Sequence, residues 1–65
     1  MTPEQNRVLN FLASMPNGHT TLKRDDAAAI LLETGGNLLA CGRLYNIVAK
    51  PIGAGIYRLS LEPTR

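Results

Sequence analysis

Apolar residues recur periodically along the chain in stretches divided by turn clusters at Pro16-Asn17-Gly18, Gly35-Gly36-Asn37 and Gly53-Ala54-Gly55. These residue types supply the bends and positive φ angles that turns require. In the first stretch Val8, Leu12 and Met15 follow at steps of four and three, with Leu9 and Phe11 beside them and Arg7, Asn10 and Ser14 opposite. That is the stripe of an amphipathic helix. Thr2 suits its N-cap, Pro3 its first position, and Pro16 stops it, so the pattern predicts a helix over about 3–15. His19-Thr20-Thr21-Leu22 is too short for a helix and reads as a small strand or an extended lead-in. A second helix is predicted over about 24–34: Asp25 and Asp26 favour its positive end, and Ala27, Ile30 and Leu31 share a face that Leu32 broadens. Gly35 is the natural residue to end it.

Asn37 is a good N-cap for a third helix over about 37–49. On a 100° wheel Leu38, Cys41, Leu44, Tyr45 and Val48 fall on one side, and Leu39, Arg43, Asn46 and Lys50 near the other. Pro51 disfavours helical geometry at Lys50 and marks the end. The remainder, about 50–61, reads as a hairpin around the glycine turn. Tyr57, Leu59 and Leu61 alternate with Ile56, Arg58 and Ser60, the period of a strand with one buried face. Pro51 cannot donate to a ladder, so the first strand should be short or at an edge. The expected core is Val8, Leu12, Ile30, Leu31, Leu44, Val48, Tyr57 and Leu59.

Composition narrows the class. At 65 residues the chain has room for one domain, 1–65, and a domain of that size hides only about 60% of the surface its unfolded form exposes. With 45% hydrophobic and 18% charged residues it belongs with globular rather than disordered chains. Cys41, the one cysteine, cannot form an internal bridge, which excludes the disulfide frameworks of small secreted proteins and favours a cytoplasmic location. No apolar run nears the roughly 20 residues of a membrane span, and Met1 to Arg7 lacks the order of a signal peptide, so no membrane partner is expected. The net charge of +2 conceals an asymmetry. Residues 1–33 hold three basic and four acidic side chains, net −1, whereas 34–65 hold four basic and one acidic, net +3. The second half is suited to an anionic partner.

Helix, extended piece, helix, tight turn, helix and hairpin: in this order the chain resembles the winged helix-turn-helix family of DNA-binding domains, an α+β fold. The carriers are Leu31 before the turn, Gly35 within it, and Cys41 and Leu44 after it, with the phrase Gly53 to Leu61 similar to the closing hairpin of small winged helices. Leu31 stands where Ala is commoner, and the wing is short. The resemblance implies that the third helix lies in the major groove while the wing touches phosphate. Arg43 and Asn46 are types that bond guanine and adenine edges, Lys50 and Arg58 suit phosphate, and Asn37 and Leu39 complete the implied nucleic-acid surface. Any soluble helix also needs a polar face, so the same residues suit simple solvation.

Other chemistry is poorly supported. His19 has no second metal-type residue near it, and Cys41 is expected in the core, so no metal or cofactor is implied. Asp25 and Asp26 are adjacent and would point about 100° apart on a helix, which suits a helix start rather than a catalytic pair. Lys23 and Arg24 beside them suit salt bridging or solvation. No nucleophile–base set or phosphate-cradling motif is present, and no enzyme activity is expected. The expectation is a small DNA-binding regulator acting as a homodimer on double-stranded DNA. The alternative is a phage-type inhibitor or adaptor that docks on a host protein, favoured by Leu39 on the outward face and the modest charge.

Overall fold

The computed structural model describes residues 1–64, in the order α1 (Pro3–Ser14), β1 (His19–Lys23), α2 (Arg24–Thr34), β2 (Asn37–Ala40), β3 (Arg43–Gly53) and β4 (Ile56–Pro63). Both helices form where the apolar periodicity puts them. Thr2 caps α1: its hydroxyl accepts from the Gln5 N–H at 3.2 Å, and its own N–H donates to Gln5 Oε1 at 3.0 Å. This reciprocal box satisfies two of the donors a helix start leaves open. Gln5 is buried, and its Nε2 donates across to Asp26 Oδ1 on α2 at 3.0 Å. Asp26 therefore serves the helix start and also bonds one helix to the other. Gly35, at φ 69°, ends α2 in the left-handed conformation.

The predicted third helix does not exist, and with it the winged helix-turn-helix assignment falls. Residues 37–49 instead form β2, a turn and most of β3, giving a two-helix, four-stranded α+β fold. The strands are all antiparallel, in the order β1-β4-β3-β2. The reversal falls at Cys41-Gly42, where Ala40 pairs with Arg43 and both intervening residues have positive φ, 53° and 75°. That is the signature of a type I′ hairpin turn, whose twist matches the strands it joins. A helix through this segment would have carried Gly42 in its interior at a cost of about 1 kcal/mol. It would also have held Tyr45, Ile47 and Val48, whose β-branched and aromatic side chains suit a pleated surface better.

The strand assignment reorders the core. Leu22, Ala40, Ile47, Leu59 and Leu61 point from the sheet toward Val8 and Leu12 of α1 and Ala27 and Ile30 of α2 in one buried cluster. Leu12, Ile30 and Leu59 are wholly buried, while Leu31 and Tyr57 pack against the cluster half-covered. Leu44, expected in the core, is 47% exposed, and Val48 lies half-buried on the opposite face of the sheet. Leu32, expected to widen the buried stripe of α2, is exposed. Cys41 is likewise exposed at the turn rather than buried, its Sγ 3.9 Å from the Ala13 carbonyl oxygen.

The predicted hairpin of 50–61 is longer than expected, because β3 begins at Arg43 and β4 runs to Pro63. Of the two expected accommodations for Pro51, a short strand or an edge, the strand is not short, at 11 residues, and Pro51 is accommodated at an edge. Ile47 N–H donates to the Gly36 carbonyl, away from β4, at 2.8 Å. Strand alternation then turns the nitrogens of Ala49 and Pro51 the same way. There β2 no longer pairs with β3, so the missing donor falls on an unpaired edge. Among the described residues no helix is long and apolar enough to cross a membrane.

Candidate nucleic-acid interface

Both helices cover one face of the sheet and leave the other bare. Alternation along each strand assigns His19, Thr21 and Lys23 of β1, Asn37 and Leu39 of β2, Leu44, Asn46, Val48 and Lys50 of β3, and Ile56, Arg58, Ser60 and Glu62 of β4 to the bare face. The register arranges them in rows across the strands. Thr21, Arg58 and Lys50 form one row, His19, Ser60 and Val48 the next, Glu62, Asn46 and Asn37 a third, and Leu44 and Leu39 the last.

Arg58 and Lys50 are direct cross-strand partners. Lys23, paired with Ile56, is diagonal to Arg58 across β1 and β4, a separation of roughly 7–8 Å between backbones. Like charges placed directly opposite each other destabilise a sheet. The ion pairs formed among the described residues, the N-terminal amine with Glu33 and Arg7 with Glu4, involve none of these three cations. The acid of this face, Glu62, is four residues along β4 from Arg58, about 13 Å at the rise of a strand. The tip next to the cluster is apolar, with Ile52 and Ile56 partly exposed beside the β3–β4 turn. Arg24 N–H donates to the Gly55 carbonyl at 2.9 Å and fixes the start of α2 against that turn.

Of the residues singled out from sequence, Asn37, Leu39, Asn46, Lys50 and Arg58 share the bare face. They do so as strand residues rather than along a recognition helix. Asn37 and Asn46 are direct partners, and so are Leu39 and Leu44. Arg43 falls on the other parity, beside Ala40 at the Cys41-Gly42 turn, and is separated from Asn46. Lys23, suited by its sequence neighbours to salt bridging or solvation, completes the cluster. The signal was available in Leu22: once that side chain points inward on a strand, its neighbour must point out. Among the described residues no three His, Cys, Asp or Glu side chains gather to hold a metal ion. Comparison with family models, curated proteins and solved structures finds no match to this chain.

Proposed function

We propose that the protein binds double-stranded DNA through the bare face of its sheet, with Lys23, Lys50 and Arg58 on phosphates and the β3–β4 ribbon against the groove. The observation that carries this reading is the direct opposition of Lys50 and Arg58 with no carboxylate beside them. A polyanion laid across that row turns a repulsive pair into a favourable one. The major groove, about 12 Å wide, admits a two-stranded ribbon, and Asn46 beside Asn37 is of the type that pairs with an adenine edge. Three phosphate contacts per chain give weak binding, so two copies acting on adjacent half-sites suit the reading.

The test is a titration of a labelled mixed-sequence duplex at low salt, repeated as salt is raised. Three neutralised phosphates give a slope of about −2.7 in log affinity against log salt, or roughly 40-fold weaker binding for a fourfold rise in salt. Absence of a complex at low salt with the folded protein overturns the reading. A second reading, docking on a protein partner, is favoured by Leu39 and Leu44, which are 67% and 47% exposed and opposed on the same face. Replacing both with Ser would abolish capture of such a partner while leaving the salt slope of the DNA titration, which charges alone set, unchanged.

A further inference from the structure

On the helix side of the sheet, away from the basic cluster, α2 stands off from β3 and β4. Between them is a cleft of about 190 Å³ lined by Arg24, Ala27, Ala28, Leu31, Ala49 and Tyr57. Its origin is in the sequence: Ala27 and Ala28 on the helix face Ala49 on the sheet, and methyl groups leave space that longer side chains would fill. An apolar cavity of about 150 Å³ admits benzene, whereas sites for drug-sized ligands begin near 300 Å³. The cleft is thus of a size for one six-membered ring. Leu31, the alanine methyls and the Tyr57 ring supply an apolar lining. Arg24 supplies the single charge. The positions one turn along α2 at which an acid would hold that guanidinium are Ala27 and Ala28, and Arg24 forms no ion pair among the described residues. A planar guanidinium matches a carboxylate through two parallel hydrogen bonds.

We propose that this cleft binds a small single-ring aromatic carboxylate, its ring between α2 and Tyr57 and its carboxylate on Arg24. The site does not depend on DNA binding, because its residues are separate from Lys23, Lys50 and Arg58.

The probe is benzoate, followed by two-dimensional amide NMR of the whole chain, with benzyl alcohol as the ring without charge and acetate as the charge without a ring. Benzoate should give saturable shifts at Ala27, Ala28, Leu31, Ala49 and Tyr57. Benzyl alcohol should shift the same amides about tenfold more weakly, as expected when one charge-assisted bond is lost, and acetate should not saturate. Arg24→Gln, a change at an exposed position, should lower benzoate affinity to that of benzyl alcohol and leave the alcohol unaffected. Ala28→Leu, also at an exposed helical position, should fill the cleft and remove both. The double variant Lys50→Gln/Arg58→Gln should bind benzoate like the parent, so a failure of the DNA reading leaves this one standing. Non-saturating shifts, shifts centred on Lys50 and Arg58, or benzoate binding indifferent to Arg24→Gln would overturn the proposal.

Discussion

The two faces of this sheet are built from the same four strands, yet they obey different rules. The covered face alternates Leu22, Leu59, Leu61, Ile47 and Ala40 against two helices and excludes water. The bare face carries three cations in a cluster, two asparagines side by side and an apolar pair at the far end. On the first face these five residues are accounted for by burial. On the second, the opposition of Lys50 and Arg58 opposes folding and has no structural compensation in the ion pairs described. The contrast teaches that stability and function are divided by strand parity: moving a side chain by one residue along a strand transfers it from one regime to the other.

The largest effect should come from the covered face. Leu59→Ala, at the wholly buried centre of the sheet, should cost about 2–5 kcal/mol. In a domain this small that is enough for a denaturant titration to show a largely lost transition. A midpoint close to the parent would break the division between faces. On the bare face, Lys50→Gln/Arg58→Gln should do the reverse: thermal stability equal to or above the parent, with the salt slope of DNA binding reduced by about two. Loss of stability in that double variant would show the cluster to be structural.

Gln5→Ala should come next, at about 1–2 kcal/mol, because it removes half of the capping box and leaves Asp26 without its interhelical donor. Chemical denaturation measures it directly. Leu44→Ala should cost under about 1 kcal/mol by the same measurement, the worth of a cross-strand pair at a half-exposed site. Smallest, and of opposite sign, Cys41→Asn should raise the melting temperature by a few degrees, since Asn tolerates the positive φ of a type I′ turn better than Cys.

How much of this was legible in the sequence depends on the segment. Thr2, Pro3 and Pro16 bracket α1, and Gly35 closes α2, because caps and breakers act locally and leave local signs. The alternation of Tyr57, Leu59 and Leu61 likewise marks the buried face of β4. Residues 37–49 failed because their apolar positions satisfy two periods at once. Leu38, Cys41, Leu44, Tyr45 and Val48 make a helical stripe, while Leu38, Ala40, Tyr45, Ile47 and Ala49 make the inward faces of two strands about a turn. Gly42 separates the two readings, but Cys-Gly is a weaker turn sign than Asn-Gly, so the turn carries little local signal. The candidate site was partly legible for a related reason. Asn46, Lys50 and Arg58 are outward in either reading, whereas Arg43 is adjacent to Asn46 in space only on a helix.

The strand order also has a consequence for how the chain acquires its shape. β4 lies between β1 and β3, so the fourth strand of the sheet in chain order is the one that joins β1 to the rest. Before Ile56 to Pro63 emerges, β2 and β3 can close their short loop, a contact between near neighbours in sequence, but β1 has nothing to pair with. Pairing Lys23 with Ile56 closes a long loop whose entropy is recovered only when the sheet is complete. A chain ending after Gly55 is therefore expected to contain a hairpin and two fluctuating helices and no fold, which makes assembly of this domain a single step that waits for its fourth strand rather than gradual growth.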